Sequence, residues 1–119
     1  MAISNTALAG GLSVEEKAVL QASVFQHINA LSIDGIIPHV DLTTGVTMDL
    51  VPTKAHPMIL TMGGNFVLCT DFRDPQGQFV NVDFYIARVD TGFVVFQTEI
   101  NNRPALENLM KAGKVAMMD

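Results

Sequence analysis

Residues 66–100 read FVLCTDFRDPQGQFVNVDFYIARVDTGFVVFQTEI, and the way these three apolar-rich runs pair decides the fold. The first interruption, Asp74-Pro75-Gln76-Gly77, has the residues that a type I turn followed by glycine prefers. A three-residue loop Pro75-Gln76-Gly77 sets Asp74 opposite Gln78. Phe72 then faces Val80, Thr70 faces Val82, Leu68 faces Phe84 and Phe66 faces Ile86, so the large apolar residues share one face. At the second interruption, a three-residue loop Asp90-Thr91-Gly92 sets Ile86 opposite Phe96, Phe84 opposite Thr98 and Val82 opposite Ile100. A two-residue loop instead puts Glu99 beside Phe84 and Gln97 beside Ile86, burying charge among aromatics at a cost of several kcal/mol. The longer loop is therefore expected. A slip of one residue would turn every side chain to the other face.

The rest of the chain agrees with a helix laid on such a sheet. Ser13-Val14-Glu15-Glu16 reads as a capping box, the Ser13 hydroxyl accepting from the Glu16 amide while the Glu16 carboxylate reaches back to the Ser13 amide. Val14, Ala18, Ala22, Phe25 and Ile28 follow at spacings of three and four, with Leu20, Val24 and Leu31 widening the apolar face. Asp34-Gly35 is expected to end the helix, Gly35 taking the left-handed conformation. Between residues 36 and 64 come Pro38, Gly45, Pro52, Pro57 and Gly63-Gly64, too frequent for a helix. Short strands are expected near residues 36–43, 46–51 and 58–62, with prolines at edges or strand ends. After the three long strands, Asn101-Asn102-Arg103-Pro104 offers an Asn cap and a first-turn proline to a short helix striped by Leu106, Leu109 and Met110, which stops at Gly113. The residues after it read as loosely structured.

The expected architecture is α+β: a long N-terminal helix packed on a curved antiparallel sheet of roughly four to six strands, with a short C-terminal helix. This layout resembles cystatin-like and nuclear-transport-factor-2-like folds, in which a helix lies across a curved antiparallel sheet. The resemblance is one of layout alone, and it implies a fold that hosts both enzymes and binding modules.

Composition bounds the function. The chain has 119 residues, 49% hydrophobic and 16% charged, with formal net charge −5. It reads as one domain over residues 13–119, long enough to bury a core of its own. Its 7 Lys and Arg are scattered singly, which argues against nucleic acid as a partner. No apolar run reaches the ~18–20 residues of a membrane-spanning helix. Charge below the usual level of about 25% points to an oligomer interface or a lined cavity. Residues 1–12 read as a flexible tail, and Ala7-Leu8-Ala9 before Gly10-Gly11 has the pattern of a signal-peptide cleavage site. That pattern favours a periplasmic or secreted protein, the alternative being a cytoplasmic one with an ordinary tail.

The same register writes a polar row on the opposite sheet face: Cys69, Asp83 and Glu99 side by side, flanked by Val67, Tyr85 and Gln97 and, on the other side, by Asp71 and Asn81. Directly opposed residues have Cβ atoms about 4.5–5.5 Å apart. Two carboxylates that close repel, and one holds its proton to higher pH. Such pairs occur at acid/base sites and cation sites, and also on wet sheet faces where water screens them. The wet face is the expectation here. Cys69, Asp83, Glu99, Tyr85 and Gln97 are the candidate ligand-binding residues. Asp83, Glu99 and Tyr85 are the catalytic candidates, whereas Cys69 beside carboxylates makes a poor nucleophile. His39 and Asp41 share one side of a strand, and His56 adds a third potential metal ligand, but no HxxxH or CxxC spacing supports a site. No GxGxxG, Walker or GxSxG pattern occurs.

The resulting expectation is a small, self-associating, non-enzymatic binding or protein-interaction module without a cofactor. Its contact surface for a small ligand or protein partner would be the polar sheet face or the loop at residues 51–64. One alternative is a sheet-pocket enzyme using Asp83 or Glu99 as acid/base with Tyr85 or His39 assisting. The other is an exported metal binder using His39, Asp41 and His56.

Overall fold

The computed structural model describes residues 11–118, with the backbone alone at residues 54–57. The expected tail and signal-like pattern thus lie outside the described residues, up to Gly10. Helix α1 spans Val14–Leu31. It starts at the expected capping box: the Glu16 amide donates to Ser13 Oγ at 3.0 Å and the Ser13 amide to Glu16 Oε1 at 2.9 Å. The residues it buries are Leu20, Val24 and Ile28. All three belong to the expected apolar face, but Val14 and Phe25 of that same face are turned outward, 83% and 46% exposed. Apolar residues fall on more than one side of this helix, so two stripes satisfy the same spacing. The core takes the one with bulky aliphatic chains, because burying Leu, Val and Ile removes more apolar area from water than burying Ala18 and Ala22.

Asp34 and Gly35 do not end α1. Its last residue is Leu31, and Asp34 and Gly35, with φ of 53° and 84°, form a two-residue reverse turn. Ile33 and Ile36 exchange backbone hydrogen bonds of 2.7 and 3.1 Å across it. Two successive positive φ angles are what a type I′ turn needs, and Asp-Gly supplies them readily.

Among the described residues the sheet is open and antiparallel, with six strands. Strand β1 (Ile37–Asp41) pairs with the start of β2 (Val46–Met62), which pairs in turn with β3 (Asn65–Arg73), β4 (Phe79–Val89) and β5 (Gly92–Ile100). Strand β2 is one strand of 17 residues where prolines had suggested a break. Bulges accommodate them. From Pro52 to Ala55 the chain advances three residues against two on β3, and from Ala55 to Ile59 four against two. These odd and even insertions together reverse the alternation, so that Leu50 before them and Ile59 after them both face the α1 core. The Thr53 hydroxyl donates to the Asp71 carbonyl in the interrupted stretch.

Between β3 and β4 the register is the expected one at every pair named above. Its turn is held by Asp74, whose Oδ1 accepts from the Gln76 and Gln78 amides at 2.9 Å each. Between β4 and β5 the outer half is as expected, with Val82 opposite Ile100 and Phe84 opposite Thr98. The turn itself differs. Val89 pairs with Gly92 across a two-residue loop, and a bulge shifts the register so that Ile86 faces Val95, leaving Phe96 unpaired and 49% exposed. The bulge resolves the conflict read from the sequence: a short turn and a polar row clear of the aromatics coexist because one residue is extruded between them.

Helix α2 spans Arg103–Lys111, and strand β6 (Ala116–Met117) pairs with β2 at Leu60 and Thr61. The residues after α2 are ordered here rather than loose. The Lys114 amide donates to the Leu109 carbonyl and the Gly113 amide to that of Met110, a Schellman closure, and Val115 is buried. Asn102 precedes α2 without the expected side-chain cap. Two cores result. One, beneath α1, gathers residues including Leu20, Val24, Leu68, Phe72, Phe84 and Ile86. The other, beneath α2, gathers Leu60, Val67, Cys69, Tyr85, Leu106 and Val115. Among the described residues no helix is long and apolar enough to cross a membrane.

Leu20→Ala should destabilise the fold by about 2–5 kcal/mol, as buried Leu truncations do. Val19→Ala, on the exposed side of α1, should stay within about 0.5 kcal/mol. Urea unfolding of both variants measures the contrast.

Candidate functional site

The expected row is present: Cys69 is paired with Asp83, and Asp83 with Glu99. The face is not wet, however, because α2 lies across it. Asp83 is completely buried. A buried carboxylate needs a partner held in good geometry, and the first residue of α2 provides one. Arg103 Nε lies 3.1 Å from each Asp83 carboxylate oxygen, and Nη2 lies 2.9 Å from Oδ1. Nη2 also lies 3.4 Å from the Thr70 carbonyl oxygen, and the Thr70 hydroxyl donates to the Val82 carbonyl at 2.7 Å. Among the described residues no buried side-chain nitrogen or oxygen lacks a hydrogen-bond partner.

The two carboxylates of the row are held by different groups. Asp83 faces Arg103, whereas Glu99 accepts from Asn102 Nδ2 and from Gln97 Nε2, both at 2.8 Å. These two hydrogen bonds, that of Asn102 foremost, hold the Glu99 carboxyl below its ordinary value. Burial, and then the charge of Asp83, pushes the Cys69 thiol up to about 12. Burial likewise raises the Tyr85 phenol, assisted by the charges of Asp83 and Glu99.

Beside α2 the row opens into a cleft of about 320 Å³. Its apolar walls are Met62 from the end of β2, Phe96 from the bulge, and Ala105 and Leu109 from α2. Its polar groups are Tyr85, Gln97, Glu99 and Asn102. Each element has a separate part in it. The bulge frees Phe96 from the core to form one wall, the β4–β5 register sets Tyr85 beside Gln97, and Asn102 orients Glu99 from the turn leading into α2.

Of the candidate residues, Tyr85, Gln97 and Glu99 therefore meet in the cleft, while Asp83 and Cys69 lie buried under α2. His39 and Asp41 sit on β1, at the other end of the strand order. Asp41 Oδ1 accepts from the Thr43 amide at 2.8 Å and the Thr44 amide at 3.3 Å, so it serves the β1–β2 turn. The side chain of His56 lies outside the described residues. Among the described residues no three His, Cys, Asp or Glu side chains gather as a metal site would require. Arg103, Asn102 and Phe96 are the residues that sequence reasoning missed. The row itself carried a signal for Arg103: two acids on one sheet face, with no cation on their own strands beside them, require one from the next element. Comparison of the chain with family models, with curated proteins and with solved structures finds no match.

Arg103→Met should cost about 3–5 kcal/mol, because it strands the Asp83 carboxylate in the interior. Adding Asp83→Leu should recover most of that loss, and a double-mutant cycle by urea unfolding measures the coupling. The Cys69 thiol makes a pH prediction. Its folded value lies above the ordinary 9.0, at about 12, so the folded chain keeps a proton that the unfolded chain releases. The stability this contributes is full below about pH 9 and is lost as pH rises toward 12. Unfolding free energy should therefore fall across that window, and less steeply in Cys69→Ala.

Proposed function

We propose that the chain is a small binding module, not a catalyst, and that its cleft takes a small amphipathic organic cation. The observation that carries this reading is the oriented Glu99 carboxylate at the edge of an apolar, partly aromatic cleft. Glu99 is held in its charged form, which favours a positively charged head group. Phe96 and Tyr85 line the same cleft, and aromatic rings attract a cation. Met62, Ala105 and Leu109 suit a short hydrocarbon body. Turnover finds less support. General acid/base groups work best when they titrate near the operating pH; here the cleft carboxyl is pushed down, and the thiol and the phenol are pushed up. Asp83, the other catalytic candidate, is already engaged by Arg103.

The module acts as a homodimer in this reading, which the low fraction of charged residues and the exposed Val14, Phe25 and Val94 support. The Ala7-Leu8-Ala9 pattern supports an exported, periplasmic setting.

Titration with n-hexylammonium, and with n-hexanol as its neutral counterpart, tests the cleft by calorimetry and by shifts of the Tyr85 ring signals. The ammonium ion should bind at least about tenfold more tightly than the alcohol, a difference of about 1.4 kcal/mol. Glu99→Gln should abolish that preference. Equal affinity for the two probes, or binding that leaves the Tyr85 signals unmoved, would sink the reading.

A further inference from the structure

Strand β5 forms an edge of the sheet: among the described residues its one strand neighbour is β4. An edge strand presents unpaired backbone donors and acceptors, and proteins usually blunt it with Lys, Pro, inward charges or a bulge. The run GFVVFQTEI has no Lys, Arg or Pro and a single charge, Glu99, near its end. The bulge at Phe96 blunts this edge near its middle, and the short runs on either side of it carry no Lys, Arg or Pro. Val94 and Phe96 are each 49% exposed.

Helix α1 packs against β5, and its orientation there can be read from two contacts. His27 stands edge-on to Phe84, with ring centroids 6.0 Å apart, and Glu16 pairs with Arg88 at 2.8 Å. Phe84 and Arg88 belong to β4, so the flank of α1 carrying Glu16 and His27 points inward over the sheet. At 100° per residue, Val14, Ala18 and Phe25 fall on the opposite flank, with Ala22 continuing toward the outer side. The exposed apolar stripe of α1 thus overhangs the same edge that β5 leaves open.

We infer that a second copy of this chain docks here, its β5 antiparallel to the first and its α1 stripe packed on that of its partner. The edge and the stripe are contiguous, so one two-fold operation covers both with the same patches from each copy. The charge pattern selects this pairing: side by side and antiparallel, the two Glu99 carboxylates lie at opposite ends of the ladder, whereas a parallel pairing stacks them face to face. Ala18 and Ala22 leave room for the two helices to approach closely. The inference deepens the self-association proposed above by naming its surface.

Sedimentation velocity of the full chain across a dilution series, combined with hydrogen exchange of those amides at residues 92–100 that do not bond to β4, tests it. The expected result is a dimer whose β5 amides lose protection as it dissociates. Phe25→Lys should raise the dissociation constant at least tenfold while circular dichroism stays unchanged, and Ala22→Glu should do the same should the first variant misfold. A dimer that survives both variants, with β5 amides exchanging as freely as in the monomer, overturns this interface and leaves self-association standing. A monomer at every concentration overturns both. Protection of those outward amides in a monomer overturns the second copy as occupant.

Discussion

The Asp83 carboxylate lies at the centre of the sheet, fully out of water, and much of the second core follows from that position. A charge there is tolerated only while a counter-charge stays fixed beside it. Arg103 meets this demand from the first residue of α2, with both carboxylate oxygens engaged, so the helix cannot leave the sheet without stranding an ion. Docking α2 in turn buries Leu106 against Val67 and Tyr85 and brings the C-terminal residues to β2, where Val115 joins the second core. The cleft exists because α2 covers this face incompletely, ending its coverage at Ala105 and Leu109 and leaving Glu99 and Phe96 at the rim.

The second constraint is parity. A strand side chain can be moved from one face to the other only by inserting an odd number of residues into the ladder. The chain does this twice. In β2 the bulges around Ala55 return apolar residues to the α1 core after two prolines that a regular ladder would not accommodate. In β5 the bulge at Phe96 lets Phe93 and Val95 serve the α1 core near the turn and Ile100 serve it at the far end, while an aromatic ring is handed to the other face. The bulge is thus a site-building device as well as a register correction.

Legibility in the sequence followed how local each determinant is. The capping box, the Asp74-Pro75-Gln76-Gly77 turn and the β3–β4 register rest on residues a few positions apart, and they were readable. The Cys69, Asp83 and Glu99 row was readable too, because alternation over a correct register fixes which residues share a face. What could not be read was what would cover that face. Burial of Asp83 depends on a helix arriving from twenty residues downstream, and the alternation in β4 is the same whether water or α2 lies above it. The apolar face of α1 was legible only in part, for a different reason. Periodicity named Leu20, Val24 and Ile28, but it also named Val14 and Phe25, and side-chain volume decides which stripe is buried. The bulges escaped because they show themselves as a mismatch between two strands, and each strand alone looks regular.

The helix and the sheet together explain why so little charge suffices on this chain. Strands β3 and β4 are buried through their centres on both faces, which ordinary single-layer antiparallel sheets are not. A chain of this size then spends its apolar residues on two cores and has few left to place at random. Among the apolar residues that remain exposed, Val14 and Phe25 lie along α1 and Val94 and Phe96 along β5, a strand whose outer side meets no further strand among the described residues. An edge without Lys or Pro, beneath a helix flank without charge, is hard to maintain in a lone monomer against nonspecific pairing. In the dimer proposed above, the position of Glu99 favours antiparallel over parallel pairing of the two edges, so the residue that brings charge to the cleft would also disfavour the wrong pairing of the strand.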